Sequence, residues 1–216
     1  MENLEVKMKK LFEKWKQDHK KDKLYEYDTP SIDGKIIPKE NFISDGFCVS
    51  NVIKENTILY ISKESHEYNK DSIIDKEKIK EYEYLKNCFA DNKKTLFPTR
   101  IKNMQEEVLY KNIDDMTFMN INKRGGLSYT NMAILNTYAM QFSDNIVNEI
   151  EIINPELVIC CGIGLKRIIN MVYTKCDKKL NKPIVEVNHP SYVISKEKYL
   201  NSFREELRKI DKFKQS

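Results

Sequence analysis

The apolar positions of this chain switch between a helical period and short unbroken runs. Leu4, Met8, Leu11, Phe12 and Trp15 recur at helical spacing, with Lys7, Lys9, Lys10, Lys14 and Lys16 on the other faces. That pattern predicts an amphipathic first helix. Residues 20–44 hold Pro30, Gly34 and Pro38 among polar neighbours and read as an irregular connector. The run Thr57-Ile58-Leu59-Tyr60-Ile61 is β-branched and aromatic, a buried strand that should empty into the polar loop Ser62-Lys63-Glu64-Ser65-His66-Glu67. Residues 76–112 read as two helices split near Asp91 to Lys94, with Pro98 at the start of the second.

A βα alternation then sets in. Met116-Thr117-Phe118-Met119-Asn120-Ile121 is a second strand, closed by the expected loop Asn122-Lys123-Arg124-Gly125-Gly126. Ile134, Leu135, Tyr138, Phe142, Ile146 and Ile150 predict one long helix. Leu157 to Cys161 is a third strand, followed by Gly162-Ile163-Gly164 and a helix bearing Leu165, Ile168, Ile169 and Val172. A fourth, Ile184-Val185-Glu186-Val187, ends at Asn188-His189-Pro190-Ser191 before a last helix with Leu200, Phe203, Leu207 and Ile210. Four strands alternating with helices predict a three-layer α/β/α sandwich with a largely parallel central sheet. The expected organisation is a basic helix and connector over residues 1–44 and an α/β domain over 45–216.

Composition narrows the class without naming a function. With 216 residues, 40% hydrophobic and 32% charged, the chain suits a soluble globular protein and neither a disordered nor a membrane one. Its 37 basic and 33 acidic residues make the net charge only +4, so any preference for polyanions depends on where the charges lie. Cys48, Cys88, Cys160, Cys161 and Cys176 form no C-x-x-C pair. Reduced thiols and a cytoplasmic location are expected, since the acidic start at Met1-Glu2-Asn3 lacks a signal-like apolar region.

Ligands of open α/β sheets gather where strands end at their carboxyl termini. Three such exits hold polar clusters: Lys63 to Glu67, Asn120 to Arg124, and Asn188 to Ser191. Two of the three histidines, His66 and His189, lie there. The clusters' order resembles the uracil-DNA glycosylase superfamily over roughly residues 57–210. That family has an acidic residue in the loop after its first strand, an asparagine often followed by Lys and Arg, a G-x-G-like turn, and a late His-Pro-Ser loop.

The resemblance implies a uracil-DNA glycosylase-like fold with no cofactor. It also implies a protein that extrudes a base from single- or double-stranded DNA and hydrolyses its N-glycosidic bond, in repair or modified-base removal. Glu64 falls at the family's acidic position, Ser65 where some branches keep a water-activating aspartate, and Asn120 at the base-reading position. The first motif here, Ser62-Lys63-Glu64-Ser65, lacks the family's usual glycine and proline. No cysteine set matches the iron–sulfur cluster of some branches.

The chemistry of the residues runs parallel. Breaking an N-glycosidic bond needs a carboxylate near the cationic sugar and a donor at the departing base. Glu64 or Glu67 suits the first task and His189 the second. Asn120 or Asn122 can read a Watson–Crick edge and Tyr68 can stack on a flipped base. Lys123, Arg124 and Ser191 are candidate phosphate contacts. Each has a bland counterpart: solvated loop acids, a loop-bracing histidine, a core tyrosine, an ordinary turn. Two other classes stand beside the enzyme: a non-catalytic nucleic-acid-binding module with a degenerate pocket, and a metal-dependent hydrolase built from Glu64, His66, Glu67 and His189.

Overall fold

A computed structural model describes residues 3–23, 31–32, 35–36, 40–45, 57–66, 80–81, 89, 95–126 and 130–210. Helix α1 (Leu4–Lys21) starts where the Asn3 side chain accepts the Glu5 N–H, and it ends in Lys20 and Lys21, whose positive charge suits the negative end of the helix dipole. Two short strands, β1 (Ser31–Ile32) and β2 (Lys35–Ile36), pair antiparallel within the connector, and β3 (Ile43–Ser44) follows. Strand β4 (Ile58–His66) opens the central sheet. The first of the two helices expected over 76–112 is corrected at Lys80–Glu81, which form strand β5 and pair in parallel with β3. The second is helix α2 (Leu96–Asn103), with Pro98 in its first turn. Its last turn widens into a π-helical segment, Met104–Val108.

Strand β6 (Met116–Gly126) precedes helices α3 (Met132–Gln141) and α4 (Ser143–Ile153), which replace the single long helix read from periodicity. The break at Phe142 turns that ring onto Tyr138, 4.7 Å away between centroids, and onto Trp15. Strand β7 (Leu157–Cys161), helix α5 (Leu165–Lys175), strand β8 (Ile184–Val187) and helix α6 (Lys196–Arg208) follow the expected alternation. The sheet order is β6-β4-β7-β8, parallel throughout.

Both faces of this sheet are buried, so its strands read as continuous apolar runs rather than alternating ones. On one face Leu59, Ile61, Met119, Ile121, Val158 and Cys160 pack with residues of α1, α3, α4 and α5. On the other, Ile58, Tyr60, Phe118, Ile159, Cys161 and Val187 pack with residues of α2 and α6. The result is the three-layer α/β arrangement that the alternation implied. Cys160 and Cys161 are free and point into opposite layers, as neighbours on a strand must.

Helix α1 belongs to the first layer. Met8, Leu11, Phe12 and Trp15 are buried in the same cluster as the sheet, and Trp15 lies within 6.5 Å of the rings of Phe42, Tyr138 and Phe142. Replacing Trp15 with alanine is therefore expected to destabilise the fold by ~3–5 kcal/mol, the usual cost of emptying a large aromatic site. Equilibrium denaturation measures it; a loss below about 1 kcal/mol would mean that α1 does not carry core packing.

Candidate functional site

The sheet is stepped at its carboxyl edge. Strand β7 pairs with β4 only from Ile58 to Ile61, whereas β6 accompanies β4 out to His66. The polar stretches expected to be loops, Ser62 to His66 and Asn122 to Gly126, are thus continuations of two strands. Their registers place Ser62 opposite Asn120 and Glu64 opposite Asn122. Between Glu64 and His66 the register shifts, with two extra residues on β6. A bulge of this kind re-aims side chains near a strand end.

Glu64 is mostly buried there. Its carboxylate accepts the Asn122 amide at 3.1 Å, and that amide also donates to the Gly125 carbonyl. Burial raises the pKa of Glu64 above the ordinary carboxylate range, against the pull of hydrogen bonds from Asn122 and Thr130 and of the Lys63 charge. Asn120 behaves differently. Its backbone N–H and its side-chain nitrogen both donate to Asp45, at 2.6 and 3.2 Å. Its carbonyl oxygen and the second amide hydrogen are not engaged by these bonds, and Asn122 serves to hold Glu64.

The phosphate role expected of Lys123 and Arg124 is corrected by their placement. Lys123 is fully buried, ion-paired with Asp45 and with Glu149 at 2.8 Å, and Arg124 pairs with Asp22 at 2.8 Å. Both belong to a polar layer joining α1 to β6. His19 donates from Nδ1 to the Asn41 carbonyl, which obliges Nε2 to accept the Tyr138 hydroxyl at 2.7 Å. Tyr138 in turn accepts the Lys123 backbone N–H. Burial first, then the Arg124 charge, hold His19 well below its ordinary pKa, in keeping with this neutral tautomer.

His189 follows β8 at the same edge. Its loop is pinned from beneath: the Tyr199 hydroxyl donates to the Asn188 carbonyl at 2.8 Å, and Arg100 donates to the carbonyls of Ile194 and Ser195 while lying 4.7 Å over the Tyr199 ring. The Ser191 N–H donates to His189 Nδ1 at 3.2 Å. Burial and then the Lys63 charge lower the pKa of His189. A neutral ring whose Nδ1 accepts must carry its proton on Nε2, so His189 presents a neutral N–H donor. The ring packs 5.2 Å from Phe97.

Lys63 was not among the residues singled out in its tetrapeptide, yet its charge acts on both Glu64 and His189. It lies against Gly162, where φ is 151° and an added Cβ would come within 3.0 Å of the lysine Cε. The positive φ favours glycine there, and a Cβ would press on the flexible end of the lysine. Helix α5, which begins three residues on, is capped by the protein's own Glu186, whose carboxylate accepts the Lys166 N–H at 2.8 Å. Around this edge, Ile163, Tyr192 and Val193 are large apolar side chains left exposed, Val193 by 87%.

The structure therefore brings Glu64, Asn120 and His189 to one edge of the sheet and sets Ser191 at its surface. Glu67 and Tyr68 lie outside the described residues, as do the side chains of Ser65 and His66. No family model matches the chain, and no characterised protein or solved structure is significantly similar to it. Among the described residues, no group of three or more His, Cys, Asp or Glu side chains is placed to hold a metal ion, and no helix is long and apolar enough to cross a membrane.

Replacing Lys123 with methionine should leave Asp45 and Glu149 buried without their cation, at a cost of ~3–5 kcal/mol. Denaturant titration reads that loss. A variant as stable as the parent that binds oligonucleotides with a weaker salt dependence would return Lys123 to the phosphate-binding role.

Proposed function

We propose that the chain is a DNA glycosylase-like protein that takes an extruded nucleotide at the carboxyl edge of its sheet and hydrolyses the N-glycosidic bond. The observation that carries this reading is the placement of a partly buried carboxylate, Glu64, and a neutral donor, His189, at the same carboxyl edge of the sheet. Two strand spacings separate β4 from β8, about 10 Å.

In this mechanism the Glu64 carboxylate orients water and stabilises the cationic sugar, with Asn122 fixing its direction. His189 donates from Nε2 to an oxygen of the departing base, supporting the charge that develops there. Its loop is held by Tyr199 and Arg100, so the donor is preorganised. Ile163, Tyr192 and Val193 supply apolar bulk of the kind that fills a base stack when a nucleotide leaves it. The Ser191 hydroxyl is the accessible phosphate contact on the same loop. A cytoplasmic setting accords with the free thiols of Cys160 and Cys161.

A second reading, a binding module without turnover, draws on Asn120. With one of its two side-chain N–H donors committed to Asp45 and the residue buried, this side chain has less to offer a base edge than a free amide. The two readings part on oligonucleotides carrying uracil, hypoxanthine or modified pyrimidines: an enzyme releases free base from at least one, and a binder from none.

If the chain is an enzyme, its pH profile follows from the two shifts. Glu64 must be ionised, so turnover should rise with pH along a limb displaced above the usual glutamate range. His189, with its pKa lowered, is neutral before the pH reaches the ordinary histidine range and should add no loss near neutrality. Glu64→Gln should abolish turnover with binding retained, and His189→Ala should cut it roughly 100- to 1000-fold. A Glu64→Gln enzyme with full activity would remove Glu64 from the mechanism.

The apolar rim makes a separate claim. Replacing Tyr192 and Val193 with serine should weaken processing of a duplex substrate much more than of the same single strand, because only the duplex must be unstacked. Equal losses on both substrates would assign these side chains to ordinary surface.

A further inference from the structure

We infer that the outer face of helix α5 is a track for single-stranded nucleic acid, leading the strand away from the carboxyl edge of the sheet. The inference rests on the glycosylase-like reading for the class of anion, while its observations lie outside that site. A groove of about 660 Å³ runs along the helix. Two rows of side chains line it at four-residue intervals: Lys166, Asn170 and Thr174 in one, Arg167, Met171 and Lys175 in the other. Residues so spaced stand one turn above another, and each row covers ~12 Å, the length of roughly three or four nucleotides at ~3.4 Å each. Met171 and, from α3, Met140 add half-buried apolar surface between the cations.

The charge of this face has one sign. Every charged residue of α5 is basic, and two stand in its first turn, where the positive end of the helix dipole disfavours cations. Glu186, the carboxylate that lines the groove, is turned to the Lys166 N–H at 2.8 Å, while the Lys166 and Arg167 side chains form no ion pair among the described residues. Lys175 donates to the Met140 carbonyl across the far end. Helix stability gains nothing from cations so placed, whereas a phosphate chain is neutralised by them. The Asn170 amide and Thr174 hydroxyl suit sugar–phosphate oxygens, and the thioethers suit base faces that only an unpaired strand exposes. Helix α5 begins where β7 ends, so Lys166 and Arg167 stand beside exposed Ile163 at the edge that holds Glu64 and His189. They supply the backbone contact that Lys123 and Arg124, being buried, cannot make.

The test follows binding of the full chain to fluorescent oligothymidylate, and to a duplex of equal length, by anisotropy over a range of salt. The single strand should bind more tightly. Lys166→Gln, Arg167→Gln and Lys175→Gln together should lower its affinity roughly tenfold or more and reduce the slope of log K against log salt by about 2, since each neutralised phosphate of a single strand contributes about 0.7. Lys7→Gln, Lys9→Gln and Lys20→Gln together remove the same charge from α1 and should have a much smaller effect. Should the first variant unfold early, Arg167→Gln alone, at an exposed position, should give about a third of the slope change. Equal losses from the two charge-matched variants, an unchanged slope, or a preference for duplex overturns the inference. So does polyglutamate binding more tightly than the oligonucleotide through the same three residues, which would give the groove to an acidic protein segment. Base release from a modified substrate is measured alongside. Release without groove binding defeats this inference alone, whereas groove binding without release sustains it and defeats the glycosylase reading.

Discussion

The arrangement of this molecule depends on the unequal lengths of neighbouring strands. Strand β4 is paired on both sides through its first four residues and on one side only thereafter. Where β7 turns away at Gly162, the overhanging part of β4 has no strand partner on that side among the described residues. Lys63 and Glu64 sit on that overhang. A residue bearing a Cβ at Gly162 would press on the end of the lysine side chain, so the turn that ends one strand touches the overhang of the next.

The opposite flank of the overhang is closed by a polar layer. Buried ion pairs are weak contributors to stability because desolvation offsets much of their attraction, yet removing one partner is costly. Lys123 illustrates both sides: it is held by two acidic groups, Asp45 just after β3 and Glu149 of α4, and its backbone N–H reaches the Tyr138 hydroxyl. Burial drives the pKa of Glu149 upward, with the Lys123 charge opposing that shift. These groups specify where the connector and the first helix lie on the sheet, a task that apolar contacts alone perform with less precision.

The sequence was most legible where one physical signal acted alone. Apolar runs marked the buried halves of the four strands, and helical spacing marked α1, α5 and α6. It was least legible where tertiary partners reversed a local preference. Residues 62–66 and 122–126 are polar and lost the apolar signature, but pairing between them keeps both extended. Lys123 and Arg124 looked solvent-facing because nothing in their neighbourhood announces Asp22, Asp45 or Glu149, which lie 26 to 102 positions away. Phe142 fits an uninterrupted helical stripe, and only its packing against Tyr138 and Trp15 shows why the helix breaks. At the site, Glu64 and His189 were visible as residue types at strand exits. Arg100 and Tyr199, which steady the histidine loop, carried no comparable signal because their work is done through distant backbone carbonyls.

The seat of α1 has a consequence for how the chain is made. Lys14 bonds to Asn145, 131 positions further on, and Trp15 waits for Tyr138 and Phe142. A growing polypeptide emerges N-terminus first, so this helix leaves the ribosome long before its binding surface exists. Contacts of such long sequence separation form slowly, since the intervening loop must be closed before they stabilise anything. For most of synthesis the apolar stripe of Met8, Leu11, Phe12 and Trp15 stays without its final partner, and the lysines along the remaining faces keep the nascent segment hydrated until α4 has been added.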